Sequence, residues 1–81
     1  MYLNENDFFR HQDICLIATL CSYGYAVDAI DKQNPKKVVF IVKRDEKIDE
    51  ITQQYWTNEL LVEPKAFFNY LKELKTRIYN G

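Results

Sequence analysis

The amino-acid sequence predicts an α+β fold: a small antiparallel sheet of about three to four short strands packed with three helices, in the order β-α-β-β-α-β-α. Two β-rich runs, 25–30 and 37–43, flank a polar segment that contains Asn34-Pro35, which is a hairpin signal. Two later segments repeat apolar residues at helical spacing. The 81 residues suffice for one compact domain spanning 1–81, and their 47% hydrophobic content can fill one core.

The first half of the chain is predicted to hold an edge strand, a helix and the hairpin. The opening is polar up to Phe8-Phe9, which we interpret as a short edge strand. The run from Ile14 to Cys21 is apolar on nearly every side, and Gly24 after it is a natural left-handed cap. We therefore expect a buried helix from about Gln12 to Tyr23. The second hairpin run is apolar on both faces, as expected of a central strand.

The second half is predicted to hold two helices joined by a short extended piece. Asp45 is expected to cap a helix from Glu46 to about Trp56, and the acids of its first turns suit the helix dipole. Leu60-Leu61-Val62 is interpreted as a short strand, and Pro64 takes the first position of the last helix. The apolar stripe of that helix is Phe67, Phe68, Leu71, Leu74 and Ile78.

Several short motifs follow one another in a characteristic order. They are Asp13 through Leu20, Gly24-Tyr25, Val38-Val39-Phe40-Ile41-Val42, Tyr55-Trp56, Val62-Glu63-Pro64 and Leu71-Lys72-Glu73-Leu74-Lys75. This layout resembles a small, uncharacterised prokaryotic and phage domain family of unknown function, over roughly residues 8–78. The resemblance implies a fold and brings no activity with it. Where the family pattern has Thr or Ser before the first helix, this chain has Arg10-His11-Gln12, so Asp13 or an upstream Asn is expected to cap that helix.

Catalytic, metal-binding and cofactor-binding chemistry finds no support in the sequence. The single histidine, His11, has no partner at motif spacing and is interpreted as a surface or capping residue. The only glycines are Gly24 and Gly81, so no glycine-rich phosphate loop exists. Twelve acids against 11 bases give a net charge of −1, which argues against a dedicated double-stranded DNA binder. We expect no enzyme, no catalytic residue, no metal and no cofactor.

The cysteines and the chain start indicate a cytoplasmic protein. Cys15 and Cys21 lie six residues apart on one predicted helix, which is the wrong geometry for a disulfide. We expect both to be buried apolar thiols in a reducing cytosol. The opening residues carry neither a basic region nor an apolar run, and no segment approaches the roughly 18 apolar residues of a membrane span. We therefore expect no membrane partner.

Surplus aromatic residues carry the first functional hypothesis, a non-enzymatic protein–protein or homodimerising accessory module. The last helix has more apolar residues than one buried side needs, which is typical of an interface. Tyr55-Trp56 before a polar turn could also grip a peptide or stack a base, although packing of Trp56 under Leu60–Val62 is the favoured interpretation. The candidate interface residues are Trp56, Phe68, Tyr70 and Tyr79.

Basic residues carry the alternative hypothesis, an accessory protein that binds single-stranded nucleic acid. Lysines near aromatic rings supply charge for phosphates and flat faces for bases. The residues would merge into one patch if the last helix lies beside the hairpin, whereas a solvated surface of mixed charge is the favoured interpretation. The candidate patch is Lys36, Lys37, Lys43, Arg44, Lys65, Lys72 and Lys75.

Overall fold

The computed structural model describes residues 7–80 and confirms the α+β fold class. The predicted polar opening, residues 1–6, lies outside the described residues, as does Gly81. Three strands and three helices follow one another along the chain: β1 (Phe8–His11), α1 (Ile14–Ser22), β2 (Val27–Asp31), β3 (Val39–Lys43), α2 (Ile48–Trp56) and α3 (Pro64–Asn80).

The sheet is antiparallel, with β3 in the centre and the strand order β1-β3-β2. Val42 of β3 pairs with Phe9 on one side and with Val27 on the other. A register shift between Val27 and Ala29 places a bulge in β2. The predicted edge strand, central strand and hairpin are therefore all present.

The hairpin loop between β2 and β3 is a tight turn built on Asn34 and Pro35. The Lys37 backbone N–H donates to the Asn34 carbonyl at 3.0 Å, which closes the turn. The Lys36 backbone N–H donates to the Asn34 side-chain oxygen, also at 3.0 Å. Asn at the first position and Pro at the second suit such a turn, because Asn bonds its own backbone and Pro fixes φ.

Helix α1 is buried along most of its length and is capped at both ends. The Asp13 Oδ1 atom accepts hydrogen bonds from the backbone N–H groups of Cys15 and Leu16, so Asp13 is the cap. At the other end Gly24 has φ of +100°, and the Tyr25 N–H donates to the Leu20 carbonyl at 3.1 Å. This Schellman ending is the one that Gly24 predicts. The helix begins two residues later, and ends one residue earlier, than expected.

The predicted strand at Leu60–Val62 is wrong. The sheet has three strands in the described part of the chain, and this segment is not among them. Helix α2 ends at Trp56, Asn58 with its φ of 61° turns the chain just after it, and α3 begins at Pro64. Three residues reach only about 10 Å, so the segment links the two helices and does not extend along a sheet edge. The Leu61 side chain is 89% exposed.

The core lies between one face of the sheet and the helices. Phe40 and Val42 of β3 point into it and are almost fully buried. Val39 and Ile41 alternate with them, face the other side and are only half-buried. Within residues 7–80, no helix is long and apolar enough to cross a membrane. The core comprises Phe9, Leu16, Ile17, Ala18, Leu20, Cys21, Val27, Phe40, Val42, Ile48 and Leu74.

Candidate functional site

His11 has a structural role at the start of α1. Its Nδ1 atom accepts a hydrogen bond from the Asp13 backbone N–H at 3.0 Å. The ring stacks on Phe9 with centroids 5.8 Å apart and lies 6.0 Å from the Trp56 ring. Among residues 7–80, no group of three or more His, Cys, Asp or Glu side chains is placed to hold a metal ion.

The two cysteines differ in exposure. Both thiols are free; Cys21 is buried, whereas Cys15 is exposed, so the expectation of two buried cysteines is wrong for Cys15. Cys15 lies on the solvent side of the first turn of α1. Burial, and then the nearby Glu73 carboxylate, raise the pKa of the Cys21 thiol. A raised pKa keeps the thiol protonated, which makes Cys21 a poor nucleophile.

The acids at the start of α2 serve the fold. Asp45 Oδ1 accepts hydrogen bonds from the backbone N–H groups of Lys47 and Ile48, so Asp45 caps the turn that leads into the helix. The Tyr25 hydroxyl donates to the same oxygen at 2.6 Å. Arg44 forms an ion pair with Asp49 at 2.6 Å. These contacts account for the acidic cluster without any catalytic role.

One face of α3 carries both lysines and exposed aromatic rings. Phe68 is 56% exposed and Tyr79 is 84% exposed, so Phe68 does not belong to the buried stripe in which the sequence analysis placed it. Steps of three and four residues put these rings and three exposed lysines on one side of the helix, over about 21 Å. We call this surface the lysine–aromatic stripe; it consists of Lys65, Phe68, Lys72, Lys75 and Tyr79.

The far end of the stripe meets the hairpin turn in a groove. Lys75 and Tyr79 on α3 face Pro35, Lys36 and Lys37 across a cavity of about 330 Å³. We call this cavity the loop groove. Its remaining lining residues are Gln12, Ile14, Val38, Phe40 and Ile78.

The seven candidate basic residues fall into two regions. Five of them, Lys36, Lys37, Lys65, Lys72 and Lys75, belong to the lysine–aromatic stripe or to the loop groove. Lys43 lies at the opposite end of β3, about 17 Å along the strand from Val38 of the groove, and Arg44 follows it. Arg44 is engaged with Asp49 and lies 5.7 Å above the Phe9 ring.

The four candidate interface residues do not lie on one surface. Phe68 and Tyr79 belong to the stripe, whereas Tyr70 lines a different cavity, beside Cys21. Trp56 is 53% exposed and contacts Tyr55 edge-to-face at 4.9 Å.

Trp56 therefore does not close the core. Tyr55 does pack against the core, as its position in the helix predicts. Burial, and then the Asp13 carboxylate, raise the pKa of the Tyr55 hydroxyl. Trp56 borders a cavity of about 370 Å³ with Leu60 and Val62.

Exposed apolar side chains also lie where α2 ends and the chain leads to α3, at Trp56 and Leu61. We call this region the tryptophan corner; it consists of Tyr23, Tyr55, Trp56 and Leu61. The Tyr23 hydroxyl donates to the Leu61 carbonyl at 2.7 Å and fixes the backbone there. The exposure of Leu61 is not evident from the sequence, because the segment 60–62 fits a strand pattern. The spacing that places lysines and aromatic residues on one face of α3 is visible in the sequence.

The fold and these surfaces define the class of protein: a two-layer α+β domain that presents charged and aromatic side chains outside its core. The chain belongs to the family described as Domain of unknown function (DUF5659), whose model matches residues 6–80. This confirms the resemblance to an uncharacterised small-domain family. No curated protein and no solved structure matches the chain.

Proposed function

We propose that this domain is a non-enzymatic accessory module that binds single-stranded nucleic acid along the lysine–aromatic stripe. The observation that supports it is the presence of three lysines together with two exposed rings, Phe68 and Tyr79, on one face of α3. Lysines attract the phosphates of a strand and the rings stack on its bases, at about 1–3 kcal/mol per stacked base. The module would serve a larger cellular or phage system.

Charge is distributed unevenly along the chain, which supports an anionic partner despite the net charge of −1. Helix α3 contains four basic residues and one acid, Glu73. The segment 45–63 contains six acids and one basic residue, Lys47. A local field of this kind steers charged ligands even when the total charge is near zero. The acidic segment and α3 therefore present different surfaces to a polyanion.

The same lysines argue against self-association through the stripe. In a twofold dimer each patch meets its own copy, so Lys72 and Lys75 would face lysines of the second chain. Juxtaposed like charges cost several kcal/mol at an interface. Phe68 and Tyr79 thus suit an anionic partner better than a second copy of this chain.

A protein partner is the second candidate, and the tryptophan corner favours it. Trp56 and Leu61 are 53% and 89% exposed, and the acids nearest in sequence are Glu59 and Glu63. Aromatic residues are enriched at protein interfaces, and acids on the rim repel a phosphate backbone. Light scattering of the protein and its Leu61→Glu variant tests self-association there: a dimer that dissociates on substitution supports it.

The proposal includes a cytoplasmic location. Cys15 is a free and exposed thiol. Thiols of this kind persist in the cytosol, where glutathione and thioredoxin keep them reduced.

Fluorescence anisotropy of a labelled oligothymidine, titrated with protein at low and physiological salt, tests the nucleic-acid proposal. We expect affinity to fall with salt at a log–log slope of about 0.7 per phosphate contact. Lys72→Glu should weaken binding by about tenfold or more, since it replaces an attraction by a repulsion. Lys47→Glu is the matched control: it changes the net charge equally, but in the acidic segment.

We expect Lys47→Glu to change the affinity by less than about twofold. The absence of binding at low salt would overturn the proposal. Equal losses in the two variants would also overturn it, because binding would then follow total charge and not the stripe.

A further inference from the structure

We propose that the loop groove is a nucleotide pocket, in which one base lies on an apolar floor and its phosphate lies between Lys36, Lys37 and Lys75. This inference rests on the proposed function, since it names the part of the strand held at the end of α3. It goes further by assigning a chemical class of ligand, a nucleoside monophosphate unit, to a defined cavity.

The size and lining of the groove suit such a ligand. Its volume is about 330 Å³, and its apolar lining comes from four side chains of four different elements or loops. Small-molecule sites are typically cavities of about 300–1,000 Å³ with an apolar lining and a few polar groups that fix orientation. The apolar residues that would lie under the base are Ile14, Val38, Phe40 and Ile78.

The charge of the groove selects an anion. Three lysines line it and no acid does. The ion pair found within residues 7–80 joins Arg44 to Asp49, so the ammonium groups of Lys36, Lys37 and Lys75 have no carboxylate within 4.0 Å in that part of the chain. Clustered cations without counter-charges bind phosphate by direct attraction.

Three other cavities of the described chain lack this combination. The cavity at Trp56 has no charged residue in its lining. The cavity beside Cys21 is lined by both Arg77 and Glu73, and the one beside His11 is lined by both Arg10 and Asp31. In both of these the acid offsets the base, so neither favours an anionic ligand.

The hairpin turn orders the backbone of two of the lysines before a ligand arrives. Asn34 accepts hydrogen bonds from the backbone N–H groups of Lys36 and Lys37, and Pro35 restricts the backbone dihedral angle φ in the same loop. A pre-ordered loop loses less conformational entropy on binding, which raises the affinity that the same contacts provide. Tyr79 belongs to both the groove and the stripe, so a strand on α3 leads directly into the pocket.

NMR titration of the full chain with thymidine 5′-monophosphate tests the pocket. We expect saturable shifts of the methyl signals of Ile14, Val38 and Ile78, which line the floor. Deoxyribose 5-phosphate has no base and should leave these methyl signals in place, whereas thymidine, without the phosphate, should bind at least about tenfold more weakly.

Paired substitutions test the lysines with the same loss of charge. Lys36→Gln with Lys37→Gln should weaken nucleotide binding by about tenfold, because two charge-assisted contacts to the phosphate are lost. Lys43→Gln with Lys47→Gln removes two charges away from the groove and should leave binding within about twofold. Equal effects of the two pairs would overturn the pocket.

The pocket and the proposed function fail in distinguishable ways. If oligothymidine binds and shifts only the amides around Phe68 and Lys72, the stripe stands and the pocket is overturned. If the monophosphate fills the groove while oligothymidine does not bind, the pocket stands and the strand-binding function is overturned. If neither ligand shifts the signals of the groove or of α3, both proposals are overturned.

Discussion

The lysine–aromatic stripe and the tryptophan corner both expose aromatic rings, but the charges around them differ. Phe68 and Tyr79 share a helix face with lysines, whereas Trp56 and Leu61 follow an acidic helix. Exposed rings alone indicate a partner surface without indicating the partner. The two proposals, a polyanion at the stripe and a protein at the corner, rest on this difference in neighbouring charge, which exists even though the whole chain is nearly neutral.

The two surfaces also differ in how their rings are held. Trp56 contacts Tyr55 edge-to-face at 4.9 Å, and the Tyr23 hydroxyl bonds the Leu61 backbone. In the stripe, the Phe68 ring has Lys72 Nζ 5.3 Å above its centroid, and both side chains are exposed. The rings of the corner are therefore held by contacts with other parts of the chain, whereas Phe68 in the stripe is held by one exposed contact. Substitutions should separate stability from binding accordingly.

The largest expected effect separates the two sides of α3. Leu74 is 3% exposed and belongs to the core, so Leu74→Ala should lower the free energy of unfolding by about 2–5 kcal/mol. Phe68→Ala on the exposed side should change it by less than about 0.5 kcal/mol. Urea denaturation followed by circular dichroism measures both. A loss of several kcal/mol from Phe68→Ala would mean that the ring is buried in solution.

The next largest effect is a contrast between a substitution in the tryptophan corner and one in the lysine–aromatic stripe. Trp56→Ala should cost about 1–2 kcal/mol of stability, since the edge-to-face contact and part of its burial are lost, while affinity for oligothymidine stays within about twofold. Tyr79→Ala should do the reverse, because an 84% exposed ring stabilises little but can stack a base. Its loss should weaken binding by about 1–3 kcal/mol.

Urea denaturation and fluorescence anisotropy of Trp56→Ala and Tyr79→Ala give a stability and an affinity for each variant. The comparison fails if Trp56→Ala weakens binding as much as Tyr79→Ala does. In that case the nucleic acid would contact the tryptophan corner.

Local signals explain why most of the fold could be predicted from the sequence. Asp13, Gly24 and Pro64 each act on backbone groups within a few residues, so their chemistry is readable without tertiary information. The predicted strand at Leu60–Val62 is wrong because three consecutive apolar residues are equally compatible with a short strand and with a linker between two helices. Only the distance between α2 and α3, which the sequence does not reveal, decides whether the segment is a strand or a linker.

The candidate site was less predictable, for a similar reason. The spacing of Phe68, Lys72 and Lys75 on α3 is visible in the sequence once lysines and aromatics are considered together. The loop groove is not, since it requires Pro35 to lie beside Tyr79, more than forty residues along the chain. Long-range packing sets that distance, and no local pattern reports it.

A smaller effect concerns the turns that end α1 and α2. Asn58 has φ of 61° and lies two residues after Trp56, whereas Gly24 has φ of +100° and follows Tyr23 at the end of α1. A Cβ atom on Gly24 would meet no atom within 4 Å, so Gly24→Ala should cost about 1 kcal/mol from backbone strain alone. Asn58→Ala should cost about as much, while Asn58→Gly should stay within about 0.5 kcal/mol of the parent.

Thermal unfolding of these three variants tests the strain argument. The corner itself gives a second readout, through Trp56 fluorescence. Asn58→Ala should change the emission of the folded protein more than Gly24→Ala does, because Asn58 lies two residues from Trp56, whereas Gly24 adjoins the corner only through Tyr23. Equal emission changes would show that the two turns are not independent.

The smallest expected effect is a pH dependence at the start of the acidic segment. Burial and the hydrogen bond to Asp45 raise the pKa of the Tyr25 hydroxyl to about 12, from 10.0. The folded state thus favours the protonated phenol, so its contribution to stability is complete below pH 10 and is lost as the pH rises toward 12. The hydrogen bond from Tyr25 lowers the pKa of Asp45. The stability that the ionised Asp45 carboxylate contributes is therefore lost as the pH falls below the usual carboxyl range.

Tyr25→Phe should therefore flatten the stability profile at its alkaline end, with a small change because the pair is near the surface. Urea midpoints measured across the alkaline range for the parent and the variant check this. Tyr23→Phe is the matched control, since the Tyr23 hydroxyl bonds a backbone carbonyl and no carboxylate. The same alkaline slope in the parent and in Tyr25→Phe would show that the Tyr25–Asp45 contact does not stabilise the fold.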